Sequence, residues 1–398
     1  MGRSLILGLA MLLIAGCSTH GAGPSPSAST AGTWASVPTV SPSPTATITK
    51  TAPDGRPFVI DELGRFDEPW AMTFLPSGQL LITERGGALK LREPDGRVRD
   101  AGGVPKVVHE GQGGLGDVII SPGFAMDRLV YLSWVERGQG GTGAAVGRAE
   151  LAGTADAPAL TGLAVIWRQQ PKTSGSGHFG HRLAFSPDGA YLFVSSGERQ
   201  KFDPAQDLGT NLGKIVRLTP DGTPAPGNPW SARGGVTAQL WTYGHRNPLG
   251  LAFDATGNLW STEMGPRGGD ELNLIEPGSN YGWPKTSNGS HYDGRNIPDH
   301  RAGDGFAAPT VFWNPSVSPS SLMIYSGSAF PQWQGDAFIG ALSGQALIRV
   351  DLDGITAKVA DTWQLDERIR EVEQAPDGTI WLLEDAPSGR LLRLGPLH

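Results

Sequence analysis

A repeated unit of two short apolar strands around a glycine turn constrains the fold of this chain more than any other feature. Four clear copies have their turns at residues 76–78, 187–189, 255–257 and 376–378. Proline presets φ in three of these turns, and glycine accepts the positive φ at the exit, so each copy predicts a β-hairpin. Two looser copies lie at 116–134 and 322–340, which makes six units.

The spacing of the units, about 45 to 70 residues, leaves room for four strands in each and predicts an all-β, six-bladed β-propeller with four-stranded antiparallel blades. The alternative is a ring of seven or eight blades, with a divergent blade between Gly282 and Pro309. Because an open ring would expose the apolar face of its last blade, we expect Pro57-Phe58-Val59-Ile60 to add a strand to the C-terminal blade. The loops of such a ring converge on one end of its central channel, where we expect the chemistry.

The first 17 residues are typical of a lipoprotein signal peptide. Arg3 precedes an apolar run from Leu5 to Ala15, and small residues precede Cys17, the only cysteine of 398 residues. This run is shorter than the roughly 18 residues that span a bilayer. The segment therefore predicts export and a lipidated Cys17, which would hold the protein on the membrane, facing the periplasm or cell exterior, with no disulfide.

Composition divides the remaining chain into a linker and one large domain. Residues 18–51 are rich in Pro, Ser and Thr, with too little apolar surface to fold. Residues 52–398 form the predicted propeller, and the 57 glycines, 32 prolines and 12 tryptophans of the chain suit a closed β architecture. A net charge of −7 without a basic stripe argues against a nucleic-acid partner and leaves the lipid as the only membrane contact.

Two clusters ahead of predicted inner strands carry polar side chains. His178 lies in a glycine-rich segment, and its neutral imidazole could accept a hydroxyl proton near its ordinary pKa of about 6.5. A solvent-exposed loop histidine is the alternative. Arg246 and Asn247 pair a guanidinium with an amide, which suits neighbouring carbonyl or carboxylate oxygens. An arginine that bridges blades to an acidic neighbour is the alternative there.

Two further clusters suggest charge recognition. The loop 263–273 exposes backbone carbonyls beside Asp270 and Glu271, which together could form the oxygen shell that calcium prefers, although acidic glycine-rich loops are mostly surface. Arg368 and Arg370 alternate on a predicted strand and so share one face. Their mutual repulsion indicates a polyanionic ligand, unless one of the two is solvated.

Several of these motifs, in this order, resemble the aldose sugar dehydrogenase branch of the soluble glucose dehydrogenases that depend on pyrroloquinoline quinone (PQQ). The resemblance extends from about Pro57 to Leu394. The matching segments are Glu110-Gly111-Gln112-Gly113-Gly114-Leu115-Gly116, His178-Phe179-Gly180 with Arg182-Leu183, Gly244-His245-Arg246-Asn247-Pro248, residues 265–273, Asn280-Tyr281-Gly282-Trp283-Pro284 and Arg368-Ile369-Arg370.

The resemblance implies oxidation of the C1 hydroxyl of an aldose to a lactone by hydride transfer to PQQ. Calcium would act as a Lewis acid, and electrons would pass to an external acceptor such as a cytochrome or a quinone. It also implies that His178 is the catalytic base. The implied PQQ contacts are Gln112, Arg246, Asn247, Tyr292, Arg368 and Arg370. The implied calcium ligands are Gly265 and Pro266 for the catalytic ion, and Glu271 and Tyr281 for a structural ion.

Two positions depart from the family pattern. Ser343 stands where the family usually places a lysine against PQQ, and Gly177 stands where the glucose-specific branch has an aspartate. Loss of one cation from a polyanion site costs roughly 2 to 5 kcal/mol if its charge partner is left buried and unpaired. Ser343 therefore favours the alternative of a cofactor-free, lipid-anchored propeller that binds a sugar or a protein partner. A calcium-dependent lactonase is a third possibility, in which the arginine pair has no obvious use.

Overall fold

The computed structural model describes residues 56–154 and 156–397. The predicted signal peptide, Cys17 and the linker 18–51 lie outside the described residues. Within them, six four-stranded antiparallel sheets account for almost all regular structure, which confirms the predicted six-bladed β-propeller.

Each blade is numbered in chain order and its strands are given from the channel outwards. The blades consist of Pro69–Phe74, Leu80–Glu84, Ala88–Arg92 and Val98–Asp100 (blade 1); Leu115–Ile120, Leu129–Gly138, Gly141–Thr154 and Ala157–Arg168 (blade 2); Gly180–Phe185, Leu192–Ser196, Lys214–Leu218 and Leu240–Tyr243 (blade 3); Pro248–Phe253, Leu259–Glu263, Asp270–Ile275 and Val311–Trp313 (blade 4); Met323–Ile324, Ala337–Ala341, Ala346–Asp353 and Thr356–Gln364 (blade 5); and Ile369–Gln374, Ile380–Glu384, Gly389–Pro396 and Phe58–Phe66 (blade 6).

The ring closes as predicted, since the N-terminal strand Phe58–Phe66 pairs antiparallel with the C-terminal strand Gly389–Pro396. The segment between Gly282 and Pro309 forms no seventh blade. It contributes Gly289–Ser290, which pairs with Arg267–Gly268 in a small two-stranded ribbon.

Helices are few and short in the described part of the chain. They are one α-helical turn, Phe124–Asp127, and the 3-10 helices Asp203–Gln206, Ser231–Arg233, Gly235–Gln239 and Pro331–Trp333. None of the described helices has the length and apolar character that a membrane crossing requires.

Six apolar clusters lie between neighbouring blades, one at each junction. At the closing junction, for example, Trp381 and Leu383 of blade 6 pack against Met72 and Ile82 of blade 1. Full burial of such a side chain stabilises a fold by about 1.5–3 kcal/mol. Each blade therefore needs both neighbours to bury its two apolar faces, and the other five junctions are packed in the same way.

Arg182, on the inner strand of blade 3, joins the blades at the channel. It is buried, and its guanidinium donates to the Asp117 carboxylate at 3.1 Å. Its contacts reach the other five blades through Trp70 of blade 1, Asp117 of blade 2, Leu249 of blade 4, Ser320 ahead of blade 5 and Glu371 of blade 6. Removal of this charge would leave buried carboxylates unpaired, so the arginine is structural.

The blade topology explains which residues meet. Every blade begins with its inner strand, so the residues just ahead of the inner strands lie at one end of the ring. The second strand runs antiparallel and returns the chain to the same end. This end therefore receives residues from two places in each blade.

Candidate active site

A cavity of about 300 Å³ opens at this end of the ring, a volume at the lower limit of ordinary ligand pockets. It is lined by Trp70, Arg85, Gly111, Gln112, Phe179, Gly180, His181, Asn247, Leu249, Met264, Ser318, Leu342, Arg368, Arg370 and Asp385. Four residues singled out in the sequence, Gln112, Asn247, Arg368 and Arg370, are thus brought together from blades far apart in the chain.

His178 lies beside this cavity, next to the lining residue Phe179. Its side chain is buried, and its main-chain N–H donates to Gln112 Oε1 at 2.7 Å. Its ring Nδ1 is hydrogen-bonded to Glu198. An ionised Glu198 requires a hydrogen on Nδ1, which leaves Nε2 as the basic nitrogen. Burial lowers the pKa of His178, and the nearby Arg246 charge adds to this effect against the opposing Glu198, so the ring is neutral near pH 7.

Glu198 was not singled out in the sequence, yet its carboxylate organises the loop beside His178. It accepts main-chain N–H groups from Gln200 at 2.9 Å, from Phe202 at 2.6 Å and from Lys201. Burial alone would raise the pKa of Glu198, but the hydrogen bond with His178 and the amide donors outweigh it, and the pKa is lowered. A charged carboxylate therefore stands behind the histidine.

Arg246 and Asn247 are held in place by Glu263, at the end of the second strand of blade 4. One Glu263 oxygen accepts both of their main-chain N–H groups, and the other accepts His245 Nδ1 at 2.8 Å. The Asn247 amide oxygen accepts the N–H of Gly180 at 3.1 Å, which ties blade 4 to blade 3. The prolyl residue that follows Asn247 and these bonds together fix its direction.

The Arg246 guanidinium packs against the loop that follows the second strand of blade 4. Its Nη1 donates to the carbonyls of Met264 at 3.0 Å and Gly265 at 2.8 Å, and the group stacks 5.3 Å from the Trp283 ring centre. Its Nη2 donates to the Tyr292 hydroxyl at 3.2 Å. Tyr292 is 73% exposed and does not line the 300 Å³ cavity, and its contact with PQQ stays a prediction.

The arginine pair does share one face, but the anion beside it belongs to the protein. Asp385 accepts from Arg368 at 2.6 and 2.8 Å through one oxygen and from Arg370 at 2.7 and 3.1 Å through the other. The sequence argument that repulsion between the two arginines requires a polyanionic ligand is therefore wrong, since Asp385 already offsets it. Burial raises the pKa of Asp385, yet the two guanidiniums outweigh this and lower it.

Arg85 supplies a further cation to the cavity wall. It follows the second strand of blade 1 and donates to the carbonyls of Gly111 and Gly113. Arg85 is also ion-paired with Glu68 at 3.5 Å, outside the lining residues. The wall itself thus carries three guanidiniums, from Arg85, Arg368 and Arg370, and the single carboxylate of Asp385. Ser343 lies near the same wall and shares a hydrogen bond of 2.8 Å with Ser318. The wall keeps a positive balance without a lysine at 343.

The predicted pair of adjacent carboxylates does not converge on one ion. Asp270 and Glu271 are neighbours on a strand, so their side chains point to opposite faces. Asp270 accepts the N–H groups of Gly265, Val317 and Ser318, each at 2.7 Å, and so shapes the loop that carries Gly265 and the buried Pro266. Its role is to hold the loop.

Glu271 faces a second, much smaller cavity of about 10 Å³, near the size of one bound water or ion. Glu263 lies directly opposite Glu271 in the strand register, and burial together with this charge raises the pKa of Glu271 to about 8. Asn273 Oδ1 is buried without a hydrogen-bond partner nearby. The Tyr281 hydroxyl donates to Leu274 at 2.6 Å, so only the main-chain oxygen of Tyr281 fits a ligand role. Oxygen atoms and excess negative charge suit calcium here.

The catalytic calcium fits less directly. Gly265 lines the small cavity, but its carbonyl oxygen already accepts a hydrogen bond from the Arg246 guanidinium. A cation on Gly265 and Pro266 would stand beside Arg246, and an anionic ligand between the two would offset their repulsion.

Three residues that sequence reasoning missed follow one rule. Arg85, Glu198 and Asp385 each come one or two residues after the second strand of a blade, where the chain returns to the cavity end. The hairpin pattern carried this information, because it places the end of the second strand beside the start of the first.

Comparisons with known proteins identify the family of the chain. The sequence profile of the Glucose / Sorbosone dehydrogenase family matches residues 66–393. The chain is 41% identical over 342 residues to the aldose sugar dehydrogenase YliI of Escherichia coli strain K12, covering 83% of this chain and 91% of that protein.

Solved structures are similar over the same length. The apo form of the soluble aldose sugar dehydrogenase from Escherichia coli has a TM-score of 0.80 and 40% identity, covering 85% of this chain and 99% of that one. The PQQ-bound aldose sugar dehydrogenase from Streptomyces coelicolor has a TM-score of 0.72 and 29% identity, covering 86% and 99%. The chain therefore belongs to the Glucose / Sorbosone dehydrogenase family.

Proposed function

We propose that this protein oxidises the C1 hydroxyl of aldose sugars to lactones, with PQQ as the hydride acceptor and calcium as its Lewis acid. Family membership makes the chain an oxidoreductase that acts on sugar CH–OH groups. A relative of the same fold is described as PQQ-bound, which supports the choice of cofactor. When bound, the quinone would accept the hydride, and calcium would polarise its carbonyl.

One observation carries the proposal: a neutral histidine held by a charged glutamate stands beside a cavity whose wall is rich in guanidiniums. PQQ is a flat tricarboxylate, and Arg85, Arg368 and Arg370 provide fixed donor forks for such groups. Asp385 keeps Arg368 and Arg370 in place, and any carboxylate of the cofactor competes with it for their donors.

His178 acts as the base in this proposal. Its Nε2 would take the proton of the C1 hydroxyl while Glu198, on Nδ1, stabilises the resulting imidazolium. Because burial lowers the pKa of His178, the ring is already neutral at pH 7 and can accept that proton. Gln112 fixes the main chain of the base, and Asn247, whose amide lines the cavity, adds a donor for the quinone.

The metal roles remain part of the proposal. Gly265 and Pro266 would hold the catalytic calcium through their carbonyls. Glu271 and the Tyr281 carbonyl would hold a structural calcium that relieves the repulsion between Glu271 and Glu263. We also propose that the protein is exported and lipid-anchored through Cys17, and that an external acceptor takes the electrons.

Dye-linked oxidation of glucose by the purified protein tests the proposal. Activity should require both PQQ and calcium, and His178→Ala should bind PQQ normally while losing about a hundredfold or more of kcat, the usual contribution of a general base. Turnover in the absence of PQQ would refute the assignment. Binding of sugar without any PQQ-dependent oxidation would favour the cofactor-free propeller that Ser343 suggests.

A further inference from the structure

A buried histidine, His300, lies in the segment 282–309, which forms no blade. Its main-chain N–H donates to the Asn288 amide oxygen at 3.3 Å. Two residues earlier, the Pro298 carbonyl accepts the hydroxyl of Thr286 at 2.8 Å, and Thr286 lines the small cavity of about 10 Å³. These bonds tie the stretch that carries His300 to the rim of the small cavity, so the fold sets the position of its ring.

The imidazole of His300 is shielded from water and unpaired. Its side chain is 4% exposed, and neither ring nitrogen has a hydrogen-bond partner within the part of the chain that the structure describes. Buried polar groups in proteins are nearly always paired, and an unpaired one is often completed by a bound water or ion. The ring therefore indicates that a further group binds here.

Each ring nitrogen faces a carboxylate across a gap. Nε2 lies 3.8 Å from Glu271 Oε1, and Nδ1 lies 4.0 Å from Asp304 Oδ2. Both distances exceed the roughly 2.7–3.2 Å of an N–H···O bond. A hydrogen on Nε2 would favour a direct bond to Glu271, whereas the wider gap suits a bare Nε2 and a carboxylate oxygen that bind one cation. The hydrogen on Nδ1 then points toward Asp304, as carboxylates commonly orient metal-bound histidines.

The gap between His300 and Glu271 is wide enough for a divalent transition metal. Zn²⁺ lies about 2.0–2.1 Å from imidazole nitrogen and about 2.0–2.2 Å from carboxylate oxygen, so two ligands of one ion are at most about 4.3 Å apart. The observed 3.8 Å lies within this limit. Glu263, opposite Glu271 in the strand register, adds negative charge that favours a cation.

A main-chain oxygen lies close to the same ring. A Cβ atom at Gly282 would be 3.2 Å from His300 Cε1, the carbon between the two ring nitrogens. Gly282 follows Tyr281, whose carbonyl belongs to the proposed ion site at Glu271. Among residues 56–154 and 156–397, no third histidine, cysteine, aspartate or glutamate completes a metal cluster. The Tyr281 carbonyl and water would therefore fill the remaining positions around the ion.

We propose that His300 and Glu271 together bind a divalent transition-metal ion of the zinc type in preference to calcium. Imidazole nitrogen suits zinc and its neighbours, whereas calcium is bound by oxygen ligands. A histidine facing the glutamate thus changes which ion the site selects. The inference goes beyond the proposed function, because it concerns the structural ion and leaves the proposed oxidation of aldoses unchanged.

Calorimetric titration of the metal-free full protein with Zn²⁺, and separately with Ca²⁺, tests the ligand set. His300→Gln keeps a polar side chain but removes the imidazole, so the Kd for Zn²⁺ should rise about a hundredfold or more, since even indirect partners of a metal ligand are worth about 10- to 100-fold. The Kd for Ca²⁺ should change less than about threefold. His109→Gln is the matched control, because the His109 side chain is 42% exposed and pairs with Glu68, and both Kd values should equal those of the wild type. An unchanged Zn²⁺ Kd in His300→Gln, or displacement of bound Zn²⁺ by equimolar Ca²⁺, would overturn the inference.

Cobalt provides a second measurement that needs only the wild-type fold. With Co²⁺ in place of Zn²⁺, proton NMR should show a strongly shifted imidazole N–H signal that exchanges in D₂O, present in His109→Gln and absent in His300→Gln. No such signal in the wild type would overturn the inference. Zn²⁺ binding through His300 without PQQ-dependent glucose oxidation would support the inference and refute the proposed function. Oxidation of glucose without Zn²⁺ binding would overturn the inference alone.

Discussion

Replacement of Glu198 by glutamine tests the organisation of the base. The carboxylate accepts four hydrogen bonds, two on each oxygen: His178 Nδ1 and the Gln200 N–H on Oε1, and the N–H groups of Lys201 and Phe202 on Oε2. A glutamine can accept on only one side. Whichever way its amide turns, two donors face an NH₂ group instead of an oxygen.

The magnitude follows from these contacts. Hydrogen bonds to a charged group contribute about 1.5–3 kcal/mol each, so the loss of two amounts to roughly 3–6 kcal/mol, shared between loop stability and the position of the base. We therefore expect kcat/KM for glucose to fall by about 10² to 10⁴ in Glu198→Gln. Glu198 favours the imidazolium, so its loss lowers the pKa of His178 further, and the acidic limb of the kcat/KM profile should move to lower pH.

The assay is a pH profile of dye-linked glucose oxidation with saturating PQQ and calcium. Glu136→Gln is the control, because Glu136 is an ion-paired carboxylate on blade 2 that contacts Arg168 and Lys172 away from the cavity. Its profile should match that of the wild type. A Glu198→Gln enzyme with wild-type kcat/KM, or with its acidic limb at higher pH, would refute the role assigned to the carboxylate.

Three other changes test the charges of the site. Asp385→Asn frees Arg368 and Arg370 for the cofactor, so the Kd for PQQ should fall about tenfold in an absorbance titration, while the Tm of the cofactor-free protein falls. A higher Kd would contradict the idea that Asp385 competes with PQQ for these arginines. Ser343→Lys adds a cation next to Ser318 in the cavity wall and should also tighten PQQ about tenfold, whereas Ser343→Ala should not. Glu271, with its pKa raised to about 8 from 4.5, contributes stability that is present below pH 4.5 and lost as pH rises through 8 in the metal-free protein. In urea unfolding with EDTA, the free energy of unfolding should therefore fall less between pH 6 and 9 in Glu271→Gln than in the wild type. Without EDTA, calcium should no longer raise the stability of this variant. An equal pH dependence in both proteins would contradict the repulsion between Glu271 and Glu263.

The fold could be predicted because its signal is local. Each glycine turn fixes a hairpin, and six hairpins of similar spacing leave few ways to bury their apolar faces other than a closed ring. The closing strand at Phe58–Phe66 followed from the same requirement. The alternative of a seventh blade is excluded because residues 282–309 form mostly irregular loops around the small ribbon at Gly289–Ser290.

The site was predicted only where a residue has a distinctive type. His178, Arg246 and the arginine pair are conspicuous in glycine-rich segments, whereas Glu198 and Asp385 are ordinary acidic residues after strands. Their roles depend on His178 for Glu198 and on the arginine pair for Asp385, which lie 20, 17 and 15 residues away in the chain, and a local pattern does not carry such contacts. The predicted meeting of Asp270 and Glu271 failed for another reason, since the segment is a strand and its side chains alternate.

An equilibrium titration of the protein with PQQ in the presence of calcium, read from the quinone absorbance, tests most directly whether the guanidinium-lined cavity is a cofactor site. We predict saturation at one equivalent with a Kd in the micromolar range or below, weakened about tenfold or more in Arg370→Ala and little changed in His178→Ala. No saturable change with the wild type, or equal binding by the Arg370 variant, would contradict the account.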